Sequence, residues 1–291
     1  MTAVPAVTAV SVVSVVSVVR FRRRTAVLLT VTSLLGLAAF TWPLLYQASG
    51  EENLAHASDA PWLFVLVLPM LLAIVVSELV DGTLDAKGIA MLGVLAACGA
   101  AMRVPGVAGF EPVFFLLIPA GRVLGKGFGF VLGAITLFAS ALITGGVGPW
   151  LPFQMFGAGW VGFFAGCLPR GVRGRAEVIV LAVYGVVAGV TYGLLLNLWF
   201  WPFGASAGGA LSFVPGDSVI ANLQRFVAFH LATSLGYDIP RAVTNLVLVL
   251  ALGGPVLAAL RRATRKAAFA APVVFAGVER AEAGEPQSHP T

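Results

Sequence analysis

The residues best suited to binding a small molecule are aromatic and amide side chains near the ends of apolar segments. The stretch 145–155 reads GGVGPWLPFQM, and its three glycines and two prolines predict a break between two apolar segments. Non-helical backbone beside the hydrocarbon core is tolerated where it is buried in protein or lines a cavity. We therefore interpret Trp150, Phe153 and Gln154 as one wall of a pocket that opens to the outside. The alternative is a tight interfacial turn anchored by Trp150.

Further aromatic and amide side chains fall near the predicted outer ends of other apolar segments. Apolar walls with a few placed polar groups are the usual composition of a small-molecule site. An amide inside a membrane span, such as that of Gln154 or Asn245, also needs a hydrogen-bonding partner. The alternative is an aromatic belt that faces lipid. The predicted substrate-binding residues are Glu111, Trp150, Phe153, Gln154, Trp160, Asn197 and Asn245.

His230 is the residue best suited to acid–base or metal chemistry, since three carboxylates share its predicted outer side: Glu111, Asp217 and Asp238. No HExxH motif, cysteine pair or nucleophile elbow accompanies it. The string 121–127 is one residue short of a phosphate-binding loop and has glycine where a hydroxyl would bind Mg²⁺. We predict that the protein is not an enzyme and has no cofactor or metal site. A membrane enzyme with an outer-facing polar site around His230 is the alternative.

Composition predicts an all-α polytopic membrane protein. The 291 residues are 59% hydrophobic and 11% charged, whereas about a quarter of the residues in soluble proteins are charged. Several apolar runs approach the roughly 20 residues that cross a bilayer as a helix. The basic residues form short clusters beside these runs, at 20–24 and 261–266 among other places, and not on a soluble face. This pattern excludes nucleic-acid binding and places both termini of a multi-pass protein of the cell membrane in the cytoplasm.

The chain divides into four predicted parts. These are a cytoplasmic leader (1–24), an N-terminal transmembrane hairpin (25–80), a membrane domain (88–262) and a disordered cytoplasmic tail (263–291). Within the membrane domain, helices are predicted at 88–102, 112–121, 126–144, 153–168, 176–200 and 240–260. Residues 222–236 are interpreted as a helix that lies at the outer surface or caps the bundle. Whether 113–121 and 222–236 cross the membrane stays open.

Small residues recur every four positions in several of these predicted helices. One strip contains Gly93, Ala97 and Ala101, with Ala96 and Ala100 as an alternative register. Others lie at 125, 129 and 133, at 158, 162 and 166, and at 185, 189 and 193. Such spacing lets a second helix approach closely along one face.

From Gly88 onward the chain resembles the substrate-binding S components of the energy-coupling factor (ECF) vitamin transporters. The resemblance rests on the small-residue strip in 88–102, the string GFEPVFFLLIPAG at 109–121, GKGFG at 125–129, and GPWLPFQM followed by the GW of 159–160. It covers six helices and implies a six-helix bundle, to which the hairpin 25–80 is an addition.

The resemblance also implies a function and partners. An S component captures a vitamin or related micronutrient outside the cell. It then docks on a transmembrane coupling subunit that carries two ATPases, and tilting within the membrane lipid delivers the vitamin inward. Gly93, Ala97 and Ala101 would form the docking strip for the coupling subunit. The abundant Trp and Phe favour a vitamin with a ring. A purely structural membrane subunit is a third interpretation.

Overall fold

The computed structural model describes residues 23–45, 86–103, 110–204 and 209–267, together with Ala73. Within these residues the chain forms eight helices and no strand. The helices are α1 (Arg23–Leu45), α2 (Ala86–Arg103), α3 (Val113–Leu124), α4 (Lys126–Thr144), α5 (Leu151–Cys167), α6 (Arg175–Gly204), α7 (Val219–Thr233) and α8 (Leu235–Ala267).

Five of the described helices are long and apolar enough to cross a membrane: α1, α2, α4, α6 and α8. Helix α3 is apolar but has only 12 residues. At 1.5 Å per residue it spans about 18 Å, which is less than the roughly 30 Å hydrocarbon core. The protein is therefore an all-α, multi-pass membrane protein, as composition predicted.

The short helix α3 lies at the centre of the bundle and contacts α2, α4, α5, α6 and α8. Its sequence VFFLLIPAGRVL is apolar on every face, and all its residues are buried except Arg122. Gly125 ends the helix with a φ of 98°, a conformation that favours glycine. Because α4 starts at the next residue, the two helices form a tight reversal.

Helices α3, α4 and α5 approach one another backbone to backbone at glycines. A Cβ atom added to Gly129 would lie 2.3 Å from the carbonyl oxygen of Gly162, and one added to Gly121 would lie 2.1 Å from that same oxygen. A Cβ at Gly133 would lie 2.2 Å from the carbonyl oxygen of Ala158. The close contact predicted from the four-residue spacing is confirmed for these strips. Glycine is required there because no side-chain movement can relieve a clash with backbone.

Helix α1, the first half of the predicted hairpin, packs on α5, α6 and α7. The ring of Phe40 lies 5.1 Å from that of Phe153 and 5.6 Å from that of Trp160. These edge and tilted contacts bury Phe40 completely. The second half of the predicted hairpin, 62–80, lies outside the described residues apart from Ala73, as do most of the predicted leader and tail.

Several predicted boundaries shift in the structure. The break predicted for 145–155 covers only 145–150, since α5 begins at Leu151 and places Pro152 in its first turn, where proline is tolerated. Helix α6 continues beyond 200 to Gly204. Helix α8 begins before 240, at Leu235, and extends through 263–267, which the sequence assigned to the tail. Of the helix predicted at 222–236, residues 222–233 lie in α7 and residues 235–236 begin α8.

A buried ionic cluster joins three helices at one end of the bundle, which we call the Arg122 end. Arg122 of α3 donates from Nε to Oε1 of Glu177 at 2.7 Å, and Nη2 of Arg261 in α8 donates to the same oxygen at 2.7 Å. Arg122 also donates to the carbonyls of Leu168, Pro169 and Val172 in the loop after α5. The Arg122 side chain therefore links α3 to α6 and holds the loop between α5 and α6 in place.

We expect Arg122→Gln to lower the free energy of unfolding by about 3 kcal/mol, because the buried carboxylate of Glu177 keeps only Arg261 as a donor and three carbonyls lose theirs. Arg262→Gln is the matched control: Arg262 is exposed on α8, and a surface change of this kind costs within about 0.5 kcal/mol. Thermal unfolding in detergent, followed by circular dichroism, measures both. Equal midpoints for the two variants would show that the Arg122 cluster contributes no stability.

Candidate functional site

The opposite end of the bundle, the Arg241 end, holds a buried cluster of charged side chains. Arg241 donates from Nε to Oε2 of Glu111 at 2.8 Å and from Nη1 to Oδ1 of Asp238 at 2.6 Å. Asp238 and Arg241 are three residues apart on α8 and so share one face. The ring of Tyr192 on α6 lies 5.3 Å from the guanidinium carbon. These contacts supply the partners that a charged group needs inside an apolar bundle.

A second layer of polar side chains supports Asp238. Nε2 of His230, on α7, lies 3.4 Å from Oδ2 of Asp238, and Nδ2 of Asn197 lies 3.1 Å from Nδ1 of His230. The Asn197 amide also donates to the hydroxyl of Ser234. Since an amide N–H donates to Nδ1, a neutral His230 carries its proton on Nε2, facing Asp238. Asn197 thus orients the His230 ring beside Asp238, whose carboxylate is held by Arg241 through Oδ1.

Gly193 makes room for this arrangement. A Cβ atom at position 193 would lie 1.8 Å from Oδ1 of Asp238. The four-residue spacing predicted that Gly193 belongs to a helix-packing strip. The structure shows that the space left by its missing side chain is filled by the carboxylate of Asp238. Any larger residue would displace Asp238 from α6 and break its alignment with Arg241.

A cavity of about 320 Å³ opens beside the cluster, between α6, α7 and α8. Its wall combines aromatic rings (Phe200, Phe229 and Tyr237) with polar groups from Asn197, Ser234, Asp238 and Arg241. The volume falls within the range of about 300–1,000 Å³ that is usual for small-molecule sites. Asp238 is buried, and its Oδ2 accepts no hydrogen bond. The cavity is therefore a concave, mostly apolar site with a few polar residues, Asp238 among them, in its wall.

Two of the predicted substrate-binding residues, Asn197 and Glu111, belong to this site. Asn197 lines the cavity, and Glu111 holds Arg241 from the other side. Asn245 lies deeper on α8, is fully buried, and donates to the carbonyl of Gly185 at 3.1 Å. Its Oδ1 has no partner. Asn245 thus links α6 and α8 and does not line the cavity.

The predicted wall at 145–155 does not line this cavity. Trp150 is 43% exposed, and its indole N–H donates to the carbonyl of Gly146 at 3.1 Å, as in the alternative of a turn anchored at the interface. Phe153 is fully buried, with its ring 4.2 Å from that of Trp199. Gln154 accepts a hydrogen bond from Arg103 at 3.0 Å, so its partner lies within the protein. Arg103 also donates to Ser140 at 3.2 Å.

Trp160 lines a different cavity, of about 520 Å³, between α1, α5 and α6. Its indole N–H donates to the hydroxyl of Ser33 at 3.1 Å. Most of the wall is aliphatic or aromatic, with the hydroxyls of Thr30, Ser33 and Thr191 among it. The pocket predicted as one site from aromatic and amide residues is therefore divided between two cavities and the packed core.

Asp238 and Arg241 were not among the predicted substrate-binding residues, although Asp238 was named as a carboxylate near His230. Their spacing could have identified them, since it places two opposite charges on one face at the start of an apolar helix, and charged residues within a span often mark a functional site. Tyr192 and Ser234 carried no comparable signal. Their role depends on how α6 and α7 cross α8, which the sequence does not specify.

The four residues proposed for acid–base or metal chemistry do not all meet. Asp217 lies in the loop before α7 and pairs with Arg225 at 2.6 Å. The hydrogen bond from Arg225 lowers the pKa of Asp217. Among the described residues, no group of three or more His, Cys, Asp or Glu side chains could hold a metal ion. Only the His230–Asp238 contact remains of the predicted set, with Glu111 linked to it through Arg241.

The small-residue strip of α2 faces outward. Gly93, Ala97 and Ala101 are exposed, whereas Ala96 and Ala100 are buried. A Cβ atom at Gly93 would meet nothing within 4 Å. Of the two registers that the sequence allowed, only the first is therefore free to contact another membrane helix.

Comparison with known proteins adds no family assignment. No family model matches the chain, and neither the curated proteins nor the solved structures contain a match. The site geometry and the sequence itself are thus the only basis for a functional proposal.

Proposed function

We propose that this protein is the substrate-binding component of an ECF-type importer, which captures a vitamin or related micronutrient and delivers it with a separate energising module. The observation that carries the proposal is the cavity of about 320 Å³ beside the buried charged cluster. Ionisable residues inside a membrane protein are costly and usually mark a substrate pathway or site. An apolar cavity with a few oriented polar groups is what capture of a small molecule requires.

Two further features support a protein that binds the substrate while a separate module hydrolyses ATP. The described residues of α2 present a smooth strip, Gly93 to Ala101, that allows another helix to pack closely. The sequence contains no complete phosphate-binding loop, so a separate subunit would supply ATP hydrolysis. We therefore assign the strip to the transmembrane coupling subunit, which would carry the two ATPases.

We further propose that the Arg241 end faces outward in the cell membrane and the Arg122 end faces the cytoplasm. The basic loop 170–175 and the basic residues 261–266 flank the Arg122 end, as the distribution of positive charge on cytoplasmic loops requires. On this orientation the cavity would open toward the outside, and α1 and α8 would place both termini in the cytoplasm.

Labelling with a membrane-impermeant maleimide tests the orientation. Cys98 and Cys167 are both exposed and are first replaced by alanine. In that background Val147→Cys, in the turn before α5, is expected to react in intact cells. Gly171→Cys, in the loop after α5, is expected to react only after permeabilisation. The reverse pattern would invert the topology and place the cavity on the cytoplasmic side.

Affinity purification from native membranes tests the function. The tagged chain is expected to recover a transmembrane coupling subunit and two ATPases, and mass spectrometry of the purified protein is expected to detect a bound vitamin. Uptake of that vitamin should require all the subunits together. Recovery of the chain without either partner class, and without a bound small molecule, would contradict the transport proposal.

The contact of His230 with Asp238 favours a second candidate, a membrane enzyme that uses this pair for proton transfer. His230 is not among the residues that line the cavity, so a ligand there would meet Asp238 first. The two proposals differ in one observable. An enzyme would convert its bound molecule, whereas a transport component would release it chemically unchanged.

A further inference from the structure

The cavity of about 520 Å³ between α1, α5 and α6, which we call the α1 cavity, is long and apolar. Its wall on α1 extends from Ala26 to Leu37, a distance of about 16 Å along the helix at 1.5 Å per residue. This distance is about half of the roughly 30 Å hydrocarbon core. The α1 cavity therefore has the depth of one leaflet of the bilayer.

The wall of the α1 cavity makes little demand for a polar ligand. Three of its residues carry hydroxyls, and two of these hydroxyls have partners within the protein. That of Thr30 donates to the carbonyl of Ala26 at 2.8 Å, and that of Ser33 accepts from the indole of Trp160 at 3.1 Å. Polar groups that already have partners gain little from a ligand. The contents of the cavity are therefore expected to be hydrocarbon.

The α1 cavity is open toward the lipid. Leu34, Leu37 and Phe164 belong to its wall, and all three side chains are exposed although they lie on apolar helices. Exposed apolar side chains at this depth contact acyl chains, because the bilayer core contains no water. A lipid can therefore enter the cavity sideways from the bilayer without crossing a polar barrier.

The charge of the wall lies at one end. Among the described residues that line the α1 cavity, Lys126 is the only charged one, and it is exposed at the beginning of α4. Its Nζ lies 5.7 Å from the ring centre of Phe163, another wall residue. Arg23, the first residue of α1, lies three positions before Ala26 and so shares its helix face. Both cations lie at the Arg122 end, since Lys126 follows α3 directly and Ala26 lines the same cavity.

An apolar cavity of this depth, with a cation at the membrane surface, fits an anionic lipid. Lysine side chains near helix ends extend toward the head groups while their stems cover apolar surface. Basic pockets between membrane helices on the cytoplasmic side bind anionic head groups. No acidic residue is among the described wall residues, so this wall carries no charge that repels a phosphate.

We propose that the α1 cavity holds an acyl chain of an anionic phospholipid, with the headgroup phosphate paired to Lys126. The lipid fills the space between α1 and the rest of the bundle. Its assignment to the cytoplasmic leaflet rests on the proposed orientation, whereas the site itself depends neither on that orientation nor on transport.

Fluorescence quenching by brominated lipid tests the proposal. Bromine on an acyl chain quenches tryptophan on contact, and Trp160 is the one tryptophan among the described residues that line the α1 cavity. The full chain is placed in phosphatidylcholine nanodiscs that contain equal, rising fractions of dibromo-phosphatidylglycerol or dibromo-phosphatidylcholine. We expect the anionic probe to bind about fivefold more tightly than the neutral one, the usual gain from one cation near the membrane surface.

Three variants assign this preference to the α1 cavity. Trp160→Phe keeps an aromatic ring and removes the reporter, so the difference between the two probes should disappear. Lys126→Gln keeps much of the stem and removes the charge, so the two probes should quench equally. Arg262→Gln removes an exposed cation of α8 that is not in the wall, and should leave the preference intact.

Three results would overturn the proposal. Equal quenching by the two probes on the native chain would show that no anionic headgroup is recognised. A preference that survives in Lys126→Gln would place the phosphate on another cation, and one that survives in Trp160→Phe would place the lipid outside the α1 cavity. The nanodiscs hold the probes in both leaflets and contain no coupling subunit. These results are therefore independent of the maleimide labelling and of the affinity purification, which test the orientation and the transport function.

Discussion

Replacing Gly162 with alanine is expected to prevent the bundle from folding. A Cβ atom at this position would lie 2.1 Å from the carbonyl oxygen of Gly129 and 2.6 Å from its carbonyl carbon. The atoms it meets are backbone of α4, so α5 would have to move away as a whole. Overpacking by one methyl group usually costs about 1–3 kcal/mol, and more where the surroundings cannot relax. Gly121 on α3 packs against the carbonyl oxygen of Gly162 itself. Moving α5 would therefore open its interfaces with both α4 and α3.

Gly93→Ala is the matched control. It makes the same substitution within a membrane helix, but its added methyl group meets nothing within 4 Å. Alanine is favoured over glycine in a helix by about 1 kcal/mol, so this variant should be as stable as the native chain or slightly more so. Expression level, gel-filtration profile in detergent and thermal unfolding compare the three proteins. A Gly162→Ala variant with the native midpoint would mean that α4 and α5 are not packed backbone to backbone.

The glycine pattern shows what the sequence can specify. Its four-residue spacing predicted close helix contacts, and these occur at Gly129, Gly133 and Gly162. The same spacing also selected Gly193, which instead accommodates the carboxylate of Asp238, and Gly93, which faces no neighbour among the described residues. Spacing identifies a smooth strip on a helix. It does not identify what lies opposite, because that depends on how the helices are arranged.

Helix positions were predictable because the length of an apolar run decides whether it can cross a bilayer. The start of α8 was placed too late for a related reason. Charged residues such as Asp238 and Arg241 are costly inside a membrane span, yet these two pair with each other within the protein and both are buried. A charged residue marks the end of a span only when it is solvated, and pairing across helices removes that condition.

The types of residue that form the candidate site were predictable from the sequence, but the places of individual residues in the structure were not. Aromatic and amide side chains line the cavity beside Asp238, but Asn197 is the one predicted binding residue among them, while Trp150 is exposed and Phe153 packs in the core. An aromatic residue has the same sequence signature in a pocket, in a core and at a lipid interface. Asn197 belongs to the site because α6 passes beside α7 there and the Asn197 amide contacts His230. The hydrophobic pattern does not specify how these two helices cross.

Ala97→Trp is expected to abolish assembly with the coupling subunit while leaving the bundle folded. Ala97 lies in the middle of the exposed strip of α2, between Gly93 and Ala101. Small residues at this spacing let helices approach closely, and an indole would hold the partner helix away. We expect recovery of the coupling subunit and ATPases with the tagged variant to fall at least about tenfold, which corresponds to roughly 1.4 kcal/mol. Thermal stability should stay native because the side chain points away from the bundle.

Cys98→Trp is the control that separates a specific strip from a generally sensitive helix. Cys98 is exposed at the same depth on α2, but about 100° around the helix from Ala97, so its indole should face lipid and leave assembly intact. Binding of the vitamin that co-purifies with the native chain, measured for both variants, reports on the cavity, which lies across the bundle between α6, α7 and α8. If Ala97→Trp lost vitamin binding together with its partners, the strip would belong to the packing of this chain. If Cys98→Trp lost its partners equally, the contact with the coupling subunit would not depend on small residues, and the docking assignment would fall.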